Sequence, residues 1–114
     1  MPDDCLFCRM ASGAIPVDKL HEDDLVFAVR DINPQAPTHV LVIPVRHVAS
    51  AAELGATDGP MLARLLSVAA ELAAADGLSN GWRLVTNVGR DGGQSVNHLH
   101  VHLLGGRTMG WPPG

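Results

Sequence analysis

The chain has no tyrosine, and two tryptophans and two phenylalanines make up its whole aromatic content, 4% of 114 residues. A core of stacked rings is therefore excluded, and packing falls to the aliphatic residues that bring the hydrophobic share to 46%. Cations are also scarce: eight Lys and Arg, each standing singly, against twelve Asp and Glu give a formal charge of −4. Binding to a nucleic-acid backbone runs on clustered cations, so nucleic acid is excluded as the main partner. A single nucleotide is not, because imidazoles and backbone N–H groups can hold one anion locally. Long apolar runs are missing too. Runs such as Val40 to Ile43 and, setting aside His100 and His102, Leu99 to Leu104 fall well short of the ~20 residues of a membrane span. The acidic start Met1-Pro2-Asp3-Asp4 offers neither the basic nor the apolar region of a secretory signal, so a cytoplasmic address is expected. Two cysteines three positions apart make no disulfide framework and point instead to metal or redox chemistry.

What is there reads as one domain, residues 1–114, with a Gly/Pro tail over 105–114. Cys5 to Ser12 is a short helix stopping at Gly13, and an extended stretch follows over Asp18 to Glu22. Leu25 to Arg30 is rich in strand formers. Two prolines make residues 33–37 a stiff loop, and His39 to Pro44 is a buried strand. Ser50 to Leu54 is a helical turn. A long helix then begins near Asp58, with Pro60 just inside it; Met61, Leu65, Val68 and Leu72 form its apolar stripe, and Gly77 is its stop. Trp82 to Asn87 and Asn97 to Leu104 are the remaining strands, joined through a glycine-rich loop. The order has no βαβ regularity and predicts an α+β fold with a mainly antiparallel sheet.

The last strand carries the chemistry. His98, His100 and His102 alternate with Leu99, Val101 and Leu103, which places three imidazoles on one face and three aliphatic side chains on the other. A single histidine is as often a partly buried residue satisfied by a carbonyl; three in register are a site. Spacing alone leaves metal ligation and phosphoryl transfer both open. The loop ahead of them, Gly89-Arg90-Asp91-Gly92-Gly93-Gln94-Ser95, favours the second, because glycines let backbone N–H groups close on an anion.

The segment from Gly92 to Arg107 resembles the signature of the histidine-triad superfamily. The tail Trp111-Pro112-Pro113-Gly114 and the block Asp31 to Pro44 resemble its Hint branch, the histidine-triad nucleotide-binding proteins. The resemblance implies a sheet of about five strands, one long helix and one or two short ones, and a homodimer with a continuous sheet. It implies a hydrolase acting on purine nucleoside monophosphate derivatives, a phosphoramidase, through a nucleotidyl-histidine intermediate. His100 would be the nucleophile, with its far nitrogen held by the carbonyl of His98, and His102 would serve the phosphate and the leaving group. His39 would stand behind His100 as a fourth histidine. Asn87, Gly93, Gln94 and Ser95 would cradle the phosphate. Asp31 would bind the ribose, with Ile32, Leu6, Phe7 and Ile15 walling the base pocket. Trp111 would reach the partner subunit's site.

Cys5-Leu6-Phe7-Cys8 taken alone is a weak signal, since zinc prefers four N or S ligands. Bacterial relatives in the superfamily complete such a pair with two histidines, here His47 and His98, which implies a structural zinc and no metal in the chemical step. His21 is expected as a surface residue. Two departures, Asn97 where relatives often carry an aromatic and Gly110 where a histidine is common, bear on leaving-group preference. Dinucleoside polyphosphate hydrolysis, and a regulatory nucleotide- or zinc-binding role with incidental hydrolysis, are the alternatives.

Overall fold

The computed structural model describes residues 4–114; the start of the chain, Met1 to Asp3, lies outside them. Five antiparallel strands form one sheet in the order β1-β2-β3-β5-β4: β1 His21–Glu22, β2 Val26–Arg30, β3 Thr38–Pro44, β4 Trp82–Val85 and β5 Val101–Gly105. Helix α1 spans Leu6–Ser12 and α2 spans Gly59–Ala75, with 3₁₀ turns at Ala51–Glu53 and Ala56–Asp58 between β3 and α2. None of the described helices is long and apolar enough to cross a membrane.

The alternation in β3 divides the core in two. Val40 and Val42 join Val26, Ala28, Leu99, Val101 and Leu103 under α2, which contributes Met61, Leu65, Val68, Ala69 and Ala73. Leu41 and Ile43 turn the other way, to Phe27, Val29 and Phe7 of α1. The expected stripe of α2 is therefore the buried one. Asp58 does not cap it through its side chain; its carboxylate turns back to the N–H of Gly55 and to Arg46. The helix ends as expected, with the N–H of Leu78 returning to the carbonyl of Ala73 across Gly77.

Three strands are shorter than the sequence suggests. β1 keeps only two residues, although Leu20 just before it still donates its N–H to the carbonyl of Ala28 at 2.8 Å. β4 stops at Val85, and Thr86 turns its hydroxyl onto the carbonyl of His100 at 2.9 Å. β5 begins at Val101 rather than Asn97, so His98 and His100 precede the ladder. Pro44 is the cause. Val45 donates its N–H to Leu25 and Asp31 donates to His39, so odd-numbered residues of β3 face β2 and even-numbered ones face β5. The register that pairs Val42 with Val101 sets Pro44 opposite Leu99, and proline has no N–H to donate. Leu99 instead donates to Val48. Its side chain still enters the α2 core, so the two-residue alternation survives the loss of the ladder.

Candidate active site

The alternation also gathers the histidines. His39 on β3 shares the α1 face of the sheet with His100 and His102, and the His100 and His102 rings lie 5.0 Å apart between centroids. His98 is fully buried and His39 and His100 nearly so. Every polar contact in this cluster is assignable from its partner. The Nδ1–H of His100 donates to the carbonyl of His98 at 2.8 Å. A carbonyl can only accept, so the proton of the neutral ring is on Nδ1 and Nε2 holds a bare lone pair.

A second chain of bonds fixes His102. The N–H of Gln35 donates to Nδ1 of His39 at 3.0 Å, which leaves the proton of that ring on Nε2. Nε2–H of His39 then donates to Nδ1 of His102 at 2.9 Å, with Oδ2 of Asp31 3.4 Å from the same nitrogen. His102 in turn carries its proton on Nε2. Burial pushes the pKa of His39 below the ordinary histidine value, against the pull of Asp31. Burial, with His100 and His39 beside it, brings His102 down to about 4. His39 and His102 are therefore neutral at neutral pH, and the N–H of His102 stands beside the bare Nε2 of His100.

The glycine loop is braced rather than open. Asn87 donates its amide to the carbonyl of Gly92 at 2.7 Å. The N–H groups of Gly93 and Gln94, expected to face the phosphate, close turns onto Arg90 and Gly89. The Gln94 side chain is also engaged, donating to Ala49 and Val96 and accepting from Gly89. Neither the N–H nor the hydroxyl of Ser95 bonds to a described residue, so Ser95 is the member of this loop with donors to spare. A Cβ on Gly92 would meet the carbonyl oxygen of Val88 at 2.3 Å, and Gly93 has φ +79, so both glycines are dictated by the turn.

The expected pocket walls separate. Ile32 is fully exposed, Leu6 exposed and Ile15 half-buried, while Asp31 accepts from the N–H of Asn33 and lies by His39. Phe7, expected as a wall, is buried in near-perpendicular contact with the rings of His98 and His100. Trp111 is 84% exposed on a tail held to its own chain by Arg83, which donates to the carbonyl of Gly110. His21, expected at the surface, is half-buried in a cluster with Asp23 and Arg64. Thr86, the Gln35 N–H and Pro44 were not singled out by the sequence. The first two act through single hydrogen bonds, which leave no periodicity to detect.

Behind the triad the ligand atoms of Cys5, Cys8, His47 and His98 lie within 4.8 Å of one another, close enough to hold a metal ion. Cys5 Sγ is 3.3 Å from His98 Nδ1, Cys8 Sγ is 3.3 Å from His47 Nδ1, and the two Nδ1 atoms are 3.1 Å apart. Nε2–H of His98 donates to the carbonyl of Pro44 at 2.8 Å, so the Nδ1 facing the thiols is a lone pair. Burial, with Cys5 adjacent, raises the Cys8 thiol to about 11, which a cation would reverse. These separations sit near the ~3.3 to 3.8 Å edges of a tetrahedral zinc site with N and S ligands. Asp31, His39 and His102 also converge, but there the contacts form a donor–acceptor chain whose Nε2–H occupies the centre. The two clusters thus differ in kind.

The sequence matches the model of the HIT domain over residues 12–109. It is 47% identical, over the full length of both chains, to an uncharacterized HIT-like protein of Synechococcus elongatus. Among solved structures it is similar to a HIT family hydrolase of Legionella pneumophila, 52% identical with a TM-score of 0.94 over 97% of this chain and 100% of that one. A histidine triad nucleotide-binding protein of Candida albicans is 32% identical, with a TM-score of 0.81 over 96% of this chain and 83% of that one.

Proposed function

Since the chain belongs to the HIT domain family, we propose that it is a nucleotide-binding hydrolase that cleaves phosphorus–nitrogen or related bonds of purine nucleoside 5′-monophosphate derivatives. The observation that carries the reading is the pairing of a bare Nε2 on His100 with an N–H on His102, ahead of the Asn87–Ser95 loop. His100 Nε2 attacks phosphorus, a P–N bond forms to the ring, and the bond to the leaving nitrogen breaks. Nε2–H of His102, fixed by the His39 chain with Asp31 beside it, hydrogen-bonds at the leaving side, and the nitrogen takes a proton from solvent and departs as the neutral amine. Water then attacks phosphorus, gives its hydroxyl to the nucleotide and its proton to solvent, and His100 leaves. The carbonyl of His98 stabilises the positive charge that His100 carries as the intermediate. Ser95 supplies N–H and hydroxyl donors to the phosphate, and Asn87 holds the loop in shape.

Turnover of an adenosine phosphoramidate tests this. His100→Ala should lose at least ~10⁴-fold in rate while AMP still binds; retained turnover overturns the assignment.

Zinc on Cys5, Cys8, His47 and His98 fits the donor set and would be structural, filling all four positions and tying α1 to the approach of β5. A homodimer through β4 is supported by the edge position of that strand and by an apolar recess of about 200 Å³ beside it, lined by Leu54, Leu62, Leu66 and Leu84. An exposed Trp111 then has a partner site to reach. Two free thiols suit a reducing, cytoplasmic setting.

A further inference from the structure

Phe7 stands between two thiols in sequence and between two imidazoles in space. Its ring is 3% exposed. It meets His98 edge-on at 5.8 Å between centroids and 83° between planes, and His100 at 5.1 Å and 75°. The same two histidines share the Nδ1–H to carbonyl bond that leaves Nε2 of His100 bare. One phenyl ring therefore touches both residues of the bond that sets the nucleophile.

The support of that ring is a helix of seven residues. A helix so short does not persist alone in water, so its place depends on its ties to the rest of the chain. Those ties are the burial of Phe7 and Cys8 and the approach of the two thiols to His47 and His98. A cation held by the four ligands fixes the helix one residue to one side of Phe7 and two to the other. The ring is then pinned against His100.

Taking His100 as the nucleophile, as proposed above, we infer that Phe7 is its positioning residue, held in place by a helix that the Cys5–Cys8–His47–His98 cluster anchors. Metal occupancy and alignment of the nucleophile are coupled through one aromatic ring. The near-perpendicular contact blocks the swing of the His100 ring that would break its bond to His98. A reacting atom misplaced by about 1 Å costs on the order of a hundredfold in rate, so loss of the ring is read in kcat. The base-pocket role implied by family resemblance requires the opposite, a loss read in KM.

The test compares Phe7→Leu and Phe7→Ala with wild type, all zinc-loaded, with metal content, circular dichroism, adenosine phosphoramidate kinetics and ¹⁵N NMR of the histidine rings. Metal content and fold should be unchanged and KM should stay within about twofold. The kcat should fall about tenfold in the leucine variant and further in the alanine variant. The ¹⁵N signals of His100 should move from one tautomer toward an average, as they also should in chelated wild type. A raised KM with unchanged kcat, or a His100 tautomer unmoved in Phe7→Ala, overturns the inference. If wild type turns over no phosphoramidate, the hydrolase reading fails by itself. The tautomer measurement needs no substrate and still decides the role of Phe7.

Discussion

The three histidines are distinguished by what their second nitrogen does. His98 spends Nε2–H on Pro44 and turns a lone pair to the thiols; His100 spends Nδ1–H on His98 and turns a lone pair outward; His102 accepts from His39 and turns an N–H outward. The sequence made the face legible through alternation, but not these tautomers, because backbone carbonyls and N–H groups leave no trace in residue identity. Phe7 shows the same limit. Its type suited an apolar wall, and only packing reveals that it faces rings already in the site. At this scale Gly92→Ala is expected to displace the loop, since its Cβ would press on backbone rather than on a movable side chain. Affinity for AMP should drop about tenfold or more, equivalent to ~1.4 kcal/mol, with little change in melting temperature; calorimetric titration checks both. Thr86→Val removes the bond to the His100 carbonyl and should cost ~1 kcal/mol of stability by urea unfolding.

At the scale of elements, the strongly periodic pieces were readable and the short ones less so. The α2 stripe and the β3 run follow from burial alone, and both faces of β3 are covered, one by α2 and one by α1. The ends of β1, β4 and β5 depend on partners distant in sequence, which no local pattern encodes. Leu65 is 1% exposed in the centre of the α2 stripe, so Leu65→Ala should destabilise by about 2–5 kcal/mol, measurable as a shift in the urea midpoint at constant slope. Helix α1 stands at the other extreme. Chelation should raise proteolytic cleavage near Leu6–Ser12 while α2 stays protected; equal protection with and without chelator would separate α1 from the metal cluster.

Across the whole molecule, buried neutral imidazoles make acid the natural denaturant. His39, His98 and His102 all have pKa values below the ordinary one, burial being the first cause in each. The unfolded chain takes up protons on these rings from about pH 6.5 downward, whereas folded His102 does so only at about 4. Between those limits the unfolded state binds more protons, so stability present above pH 6.5 falls as pH falls, by up to about 1.4 kcal/mol per pH unit for each ring. Carboxylates extend the loss to lower pH. The fork of Arg30, with help from Thr38, holds Asp76 below the carboxylate range. Asp23, which burial alone would raise, is pulled well below that range by His21, Arg64 and two backbone N–H groups. Melting temperatures from pH 7.5 to 4 should fall monotonically, and a plateau between 6.5 and 5 would contradict the assignment. Net charge and pattern were enough to foresee a small α+β domain; the pH response needed the packing.

Pro44 governs where all of this sits. Because it lacks one hydrogen, a rung opposite Leu99 could hold only one of its two bonds; Leu99 gives its N–H to Val48 instead, the carbonyl of Pro44 goes to His98, and the chain from His98 to His100 leaves the ladder while keeping its alternation. The site is in this sense an interruption of the sheet, addressed by a single residue. Pro44→Ala would supply the missing donor and invite the strands to pair two residues further. Slower amide exchange at Leu99, together with weaker metal retention, would mark a protein that had completed its sheet by closing its own active site.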